Sequence, residues 1–371
     1  MDLSNTPFGV ITDLIRAHAQ RDPGHVALRD GDAALTYGAL DARMDRVAAS
    51  LQRDGLRNGD AVAICAHTSI DYAVVFLGAL RAGVVVAPLA PSSTPDSLVR
   101  MVRDAGARVL FADSALPEVP GGWPGVAQVG LGATQTGGPP TLDDWLAPAG
   151  ARPQPVVIEP AAPFNIIYSS GTTGEPKGIV QPHSMRWAHV NRASKYGYGP
   201  DSVGLLSTPL YSNTTLVVFF PLLAFGGCVV LMARFDAARY LALAQQWRVS
   251  HTMLVPVQYR RIMAFPQFDD FDLSSYRFKF CTSAPFAAEL KADVLARWPG
   301  GLVEFYGMTE GGGTFILNAH EHPDKLHTVG QAAEGHDIRL IDEQGAEVPQ
   351  GEAGEVVGHS GGMMKGYHGQ R

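Results

Sequence analysis

A chain of 371 residues is too long for one small core, and 46% hydrophobic against 18% charged residues is the balance of a folded globular protein, which excludes a disordered or fibrous chain. The formal net charge is -7 at pH 7 and no long Lys/Arg run occurs, so broad electrostatic binding of nucleic acid is excluded and any phosphate must be held locally.

In chain order, an amphipathic helix is predicted around 10–19, then a strand at ALTY from Ala34 and a helix whose Leu40, Met44, Val47 and Leu51 recur at helical spacing. Apolar runs then alternate with helices: AVAICA from Ala61, a helix over 72–81, VVVAPLA from Val84, a helix over 97–104, and RVLFAD from Arg108. Strands that are apolar throughout suit a parallel sheet covered on both faces. Between 114 and 155 the composition shifts to Gly, Pro and Ala, a connecting region with one turn of helix at 142–146. The alternation resumes with FNIIYSS from Phe164, GLLSTP from Gly204, CVVLM from Cys228, HTMLVP from His251, RFKFCTS from Arg277 and LVEFYG from Leu302. From about Gly313 short strands and polar turns resemble a small antiparallel barrel. The expected fold is therefore α/β: two doubly wound sheet-and-helix subdomains, 1–156 with the connecting region and 157–312 with the loop discussed below, followed by a β-barrel subdomain over 313–371, incomplete at its end.

One stretch, LVVFFPLLAFGGCVVLMA over 216–233, has the length of a membrane span. Pro221 and the Gly226-Gly227 pair interrupt it, so a buried helix, a turn and a buried strand are expected, and no membrane span. Cys65, Cys228 and Cys281 form no CxxC pair and read as buried reduced thiols. The N-terminal MDLSNTPFG lacks the features of a signal peptide, and a cytoplasmic protein is expected.

The chemistry concentrates in YSSGTTGEPKG, which follows an apolar strand. Ser169, Ser170, Gly171, Thr172, Thr173 and Gly174 bring hydroxyls and close backbone N–H groups ahead of Lys177, a combination suited to a polyphosphate. It is not the Walker A loop, because Lys177 lies between Pro176 and Gly178 and no helix is expected directly after it. The segment closely resembles the signature loop of the adenylate-forming superfamily, which includes acyl-CoA synthetases, adenylation domains of nonribosomal peptide synthetases, and luciferases. Further motifs of that family follow in order: STPLYSNTT from Ser207, CTSAP from Cys281, EFYGMTE from Glu304, TVGQAAEGHDIRLID from Thr328 and GEVVGHSGGMMKGY from Gly354.

The resemblance covers essentially the whole chain and implies the family's large N-terminal domain. By it, Ser283, Ala284 and Pro285 would line an adenine, Tyr306 would stack on its face with Gly307 beside it, Thr309 would contact the α-phosphate, and Glu310 would hold magnesium. Each role is chemically sensible, since an aromatic face suits a purine and a carboxylate a hard cation. The implied reaction converts a carboxylic acid and ATP, with Mg2+, into an acyl adenylate and pyrophosphate, with Lys177, Thr309 and Glu310 as the catalytic groups. Thioester formation with CoA would follow; loading of a carrier protein is the alternative acceptor, and a non-catalytic binder of nucleotide or acyl adenylate is a reading of another class. The family's TGD motif, hinge and later catalytic lysine are not found before Arg371, which implies the N-terminal part of a longer protein, without the C-terminal lid domain and impaired as it stands.

Amino-acid adenylation domains place an aspartate near the position where this chain reads Tyr211, Ser212, Asn213, Thr214, and a buried substrate ammonium needs such a counterion. An aliphatic or aromatic acid is therefore expected instead. Its pocket would draw on Tyr211, Asn213, Thr214, Phe286, Gly311, Gly312, Gly313 and Thr314, the triple glycine leaving room for a bulky body. Ser212 stands where the family often has histidine, and Glu334 where it often has proline. His183, Trp187 and His189 have no third ligand at metal spacing and read as helix-packing or pocket-wall residues. No paired groups that would activate water for a nucleotide hydrolase are found. A homodimer is left open.

Overall fold

The computed structural model describes residues 3, 6–119, 121–132, 138–169 and 176–369. The chain opens on α1 (Ile11–Arg21), a hairpin of β1 (Val26–Asp30) and β2 (Ala33–Thr36), and α2 (Tyr37–Arg53). β3 (Ala61–Cys65), α3 (Ile70–Arg81), β4 (Val85–Leu89), α4 (Pro95–Asp104) and β5 (Ala107–Ala112) then alternate as expected. The connecting region supplies β6 (Ala127–Gly130) and α5 (Leu142–Trp145). After it come β7 (Pro163–Ser169), β8 (Lys177–Pro182) and α6 (His183–Ala193). The second run of alternation is β9 (Val203–Leu206), α7 (Asn213–Ala224), β10 (Cys228–Leu231), α8 (Ala237–Gln246), β11 (His251–Leu254), α9 (Pro256–Met263), β12 (Phe278–Cys281), α10 (Ala288–Arg297) and β13 (Gly301–Gly307). Five short strands close the chain: β14 (Thr314–Asn318), β15 (Gln331–Ala332), β16 (Asp337–Ile341), β17 (Glu355–His359) and β18 (Gly366–Tyr367). Several helices begin at side chains that accept a backbone N–H three residues on, namely Thr36, Ser69, Thr94 and Asp236.

Two large sheets result, one of nine strands in the order β15-β14-β13-β12-β11-β9-β10-β1-β2 and one of seven in the order β18-β8-β7-β4-β3-β5-β6. Their strands are apolar on both sides because both faces are covered. In β3, Ala61, Ala63 and Cys65 pack with Leu98, Met101 and Val102 of α4, while Val62 and Ile64 face the central helices. In the larger sheet Leu206, Val229, Met253 and Phe280 share that central core, and Leu205, Val230, Leu254 and Cys281 turn to the layer of α8, α9 and α10. The helices between the sheets are buried almost all round; Tyr72 through Arg81 of α3 are all buried.

The apolar run over 216–233 is what the Pro and Gly punctuation implied: most of α7, a turn, and β10, with no described helix long and apolar enough to cross a membrane. Phe219 and Phe220 are buried in the central layer, each stabilising the fold by about 1.5–3 kcal/mol. The turn requires glycine, since Gly226 has φ +85° and a Cβ there would lie 2.8 Å from Nδ1 of His18. All three cysteines are free and buried, and burial pushes the Cys65 thiol up to about 12 and that of Cys228 to about 11.

The sheets do not divide at residue 156. β1 pairs in parallel with β10, so the N-terminal hairpin edges the larger sheet, whereas β7 and β8 complete the smaller one beside β4. Apolar alternation specifies that a segment is a buried strand, and the partner is chosen by how the connecting helices cross. Likewise the strands after Gly313 are shared among three sheets and close no barrel among the described residues. β14 and β15 extend the larger sheet, β16 and β17 form a two-stranded ribbon, and β18 joins β8.

Candidate active site

Strands β9 to β13 run parallel, so the loops after residues 206, 254, 281 and 307 emerge at one edge of the larger sheet. In open α/β sheets this edge is where ligands bind. A cavity of about 430 Å³ opens there, its mouth formed by Ser283, Gly307, Thr309 and Glu310 together with Asn213 and Thr214 from the first turn of α7. Among the described residues Ser283 is one of two non-glycine residues with positive φ, at +79°, a conformation that carries strain and is held by its neighbours. Its Oγ lies 2.7 Å from Oγ1 of Thr214, tying the loop after β12 to α7.

Thr309 is fixed from behind by a buried polar cluster. Gln181 in β8 donates through Nε2 to the Thr309 carbonyl at 2.9 Å and lies 3.3 Å from Oδ1 of Asn213. The Gln181 Oε1 accepts from Asn165 at 3.1 Å and from Arg186, whose Nε also donates to Asn165 Oδ1 at 3.1 Å. Asn165, Gln181 and Arg186 are all fully buried, and burial lowers the Arg186 guanidinium to about 9. The cation also lies over the rings of Phe164 and Phe220.

Lys177 opens β8, opposite Ser169 of β7. It shares a face with Ile179, two residues on, and Tyr367 of β18 pairs with Ile179, so the tyrosine ring lies diagonally beside the lysine. The ring centre is 5.6 Å from Lys177 Nζ, and the phenol donates to Glu310 Oε1 at 3.1 Å. That bond, with the carboxylate charge beside it, raises the Tyr367 pKa. The backbone joins in: Met364 N–H donates to the Glu310 carbonyl at 2.7 Å. Tyr306, at the end of β13, is 47% exposed beside Phe315, leaving ring surface open.

Several expected site residues are brought together and others are not. Asn213, Thr214, Ser283, Gly307, Thr309, Glu310 and Thr314 border the cavity. Ser170, Gly171, Thr172, Thr173 and Gly174 lie outside the described residues. Ala284 and Pro285 are exposed beyond the mouth, and half-buried Tyr211 does not line the cavity. Phe286 is a core residue, stacked on Tyr259 at 5.0 Å, because the chain after Pro285 turns into the outer helical layer. The triple glycine does not leave space for a substrate. A Cβ on Gly311 would sit 2.2 Å from the Gly362 carbonyl oxygen and one on Gly312 2.8 Å from that of Gly358, while Gly313 faces Ile338. These glycines admit the backbone of the 358–363 segment, and the first two adopt φ of +81° and +83°.

Further walls come from α6, through His189, one of the three residues read as helix-packing or pocket-wall, and through Arg192, from Tyr196 and Tyr198 just after it, and from Phe280 and Phe305 on the sheet; apart from His189 these were not read from the sequence. His183 packs edge-on against Phe164, and Trp187 donates to the Thr6 carbonyl at 2.9 Å, so of the three aromatic residues noted on α6 only His189 reaches the cavity. The signal available was the one-turn spacing of His189 and Arg192, which acquires meaning once α6 is known to flank α7.

Two packed α/β sheets with a cavity at the strand ends, and the Gly/Ser/Thr-rich sequence between β7 and β8, fit an enzyme of the AMP-binding type. The chain belongs to that family, whose description is AMP-binding enzyme and whose model matches residues 15–368. A feruloyl-CoA synthase from Amycolatopsis sp is 32% identical over 361 residues, covering 95% of this chain and 70% of that protein. An indoleacetate–CoA ligase from Aromatoleum aromaticum is 28% identical over 373 residues, covering 96% and 71%. Among solved structures, the inhibitor-bound N-terminal domain of FACL13 from Mycobacterium tuberculosis superposes with a TM-score of 0.85 at 25% identity, covering 97% of this chain and 91% of that one.

Proposed function

We propose that this chain is the nucleotide- and acid-binding part of an acid–thiol ligase, which activates a carboxylic acid with ATP to acyl-AMP and pyrophosphate and then transfers the acyl group to CoA. The observation that carries the reading is one cavity with Thr309 and Glu310 at its mouth and aromatic and aliphatic side chains inside, an arrangement that seats an acid with its carboxylate toward the nucleotide groups. The relatives' names, feruloyl-CoA synthase and indoleacetate–CoA ligase, support both the reaction and an aryl substrate.

In the first step a substrate carboxylate oxygen attacks the α-phosphorus of ATP, the bond to the bridging oxygen breaks, and pyrophosphate leaves. In the second, the CoA sulfur attacks the acyl carbon, AMP leaves, and the thiol proton is lost. The chain's contribution to the first step is positioning and charge stabilisation. Lys177 and the segment from Ser169 to Gly174 would hold the β- and γ-phosphates, Ser283 and the open ring of Tyr306 the adenosine, and Thr309 an α-phosphate oxygen. Glu310 fits a magnesium ion, because it is a hard oxygen donor at the cavity mouth whose side chain, among the described residues, accepts one hydrogen bond, from Tyr367. Magnesium bound there would offset the charge of the phosphate oxygens. The test is pyrophosphate release from MgATP across aryl, aliphatic and amino acids. Release only with aryl or aliphatic acids is expected; release of phosphate with ADP would overturn the reading.

A further inference from the structure

The cavity is polar at both ends. At the mouth, Gln181 and Asn213 bring the starts of α6 and α7 together, and Thr309 and Ser283 lie beside them. Going inward, Val217, Val218, Met253, Phe280 and Phe305 are apolar. From His183, the first residue of α6, His189 lies about 9 Å and Arg192 about 14 Å further along the helix, on one face. Tyr196 and Tyr198 follow; Tyr198 stacks at 4.1 Å on His251, which begins β11, so this end lies at the N-terminal ends of the strands, remote from the nucleotide groups.

The polar groups at the inner end lack partners. His189 Nδ1 is buried with no hydrogen-bond partner, which leaves Nε2 as the nitrogen to meet a ligand. Arg192, Tyr196 and Tyr198 line the same end, and their side chains make no ion pair or hydrogen bond among the described residues. Arg192 also borders a second cavity on the other flank of α6. Burial, with the Arg186 and then the Arg192 cation nearby, holds the His189 ring well below its ordinary value and so neutral. A guanidinium and an imidazole N–H are donors and the two phenols can donate, and donors gathered at the inner end of an apolar slot call for an acceptor to meet them.

We infer that the acid substrate is an aryl acid carrying an oxygen acceptor, hydroxyl or carboxylate, at the end opposite its reacting carboxyl, and that His189 and Arg192 are the specificity-determining residues that receive it. The inference rests on the adenylation reading for the direction in which the acid lies. Aromatic walls at Tyr196, Phe280 and Phe305 suit one flat ring between the two oxygen-bearing ends.

The experiment measures Kd by calorimetry for cinnamic acid and its 4-hydroxy and 4-carboxy forms, on the unaltered chain, Arg192→Leu and His189→Phe, with pyrophosphate release read in parallel. The unaltered chain is expected to bind at least one oxygenated acid about tenfold or more tighter than the parent. In the variants that advantage should fall to about threefold or less, while binding of ATP, which also reports folding, stays within about twofold. Preference for the 4-carboxy acid, lost in Arg192→Leu, would identify a second carboxylate as the acceptor, and preference for the 4-hydroxy acid a phenol. Equal binding of all three acids, or a preference that survives both substitutions, overturns the inference. Discrimination in binding with no pyrophosphate release from any acid would leave this assignment standing and remove the adenylation reading instead.

Discussion

The phenol of Tyr367 donates to Oε1 of Glu310 at 3.1 Å while its ring lies 5.6 Å from Nζ of Lys177, so one residue of the last strand touches both charged groups proposed to hold phosphate and metal. The contact depends on β18 pairing with β8, which sets Tyr367 opposite Ile179. Tyr367→Phe keeps the ring and removes only the hydroxyl. The expected outcome is a threefold to tenfold loss of kcat for pyrophosphate release, about 1 kcal/mol as for one hydrogen bond, with a raised magnesium requirement and an unchanged KM for the acid. A magnesium titration of both proteins checks this, and identical titrations would show that Glu310 needs no orienting partner.

Gly311 separates two accounts of the triple glycine. If the glycines made room for substrate, Gly311→Ala would alter the choice of acid and leave the fold intact. The geometry predicts a different result, since the added Cβ would press on the Gly362 carbonyl at 2.2 Å from a backbone at φ +81°. Stability should drop by about 1–3 kcal/mol, and activity should fall equally for every acid. Urea denaturation and a substrate panel on the same variant distinguish the two.

That residue also shows what the sequence could convey. Alternation of apolar runs with helical spacing located β3 to β5, α7 and β9 to β13 because those segments are buried on both faces and leave no other periodicity. It gave no partner for β1, whose neighbour β10 is about two hundred residues away, since pairing is decided in space. At the site, Thr309 and Glu310 were legible because their chemistry is carried by a contiguous motif. The Asn165, Gln181 and Arg186 cluster behind Thr309 was not, because it assembles from β7, β8 and α6 and each residue alone reads as an ordinary polar side chain. Phe286 misled for the reverse reason: adjacency in sequence to Pro285 placed it in the pocket, and a turn in the chain placed it in the core.

Lys291 and Glu304 form a buried pair with Nζ and Oε2 2.5 Å apart, and the same ammonium donates to the Leu326 and Thr328 carbonyls at 2.9 Å. The pair therefore links α10, the strand β13 that carries Tyr306, and the turn before β15. Burial raises the Glu304 pKa despite the opposing lysine, so the carboxylate depends on its partner. Lys291→Met should cost about 3–5 kcal/mol by stranding a buried carboxylate and two carbonyls. Adding Glu304→Leu should recover a large part of that loss. Urea denaturation of the single and double variants checks it, and additive losses would show that the two side chains are not coupled.

Two buried imidazoles give the fold a pH dependence whose sign can be worked out. Burial lowers His183 and His251 from the ordinary 6.5 to about 4; both rings are almost wholly inaccessible, with His251 Nε2 facing the Tyr196 carbonyl at 2.8 Å. In the unfolded chain each takes up a proton as pH falls through 6.5, whereas the folded chain refuses it until about 4. Between these values the unfolded state binds more protons, so stability is full above about pH 7 and declines as pH falls, by up to about 3 kcal/mol per histidine at pH 4. Carboxylates add their own terms at the lower end, so the informative interval is pH 6.5 to 5. There each of the two rings should contribute an average loss of about 1.1 kcal/mol per pH unit, and the His183→Gln, His251→Asn double variant should show a correspondingly shallower profile, the slope that remains coming from His189, His18 and His336, which burial also holds below the ordinary value. Equal slopes in the two proteins would mean that both imidazoles accept protons in the folded state.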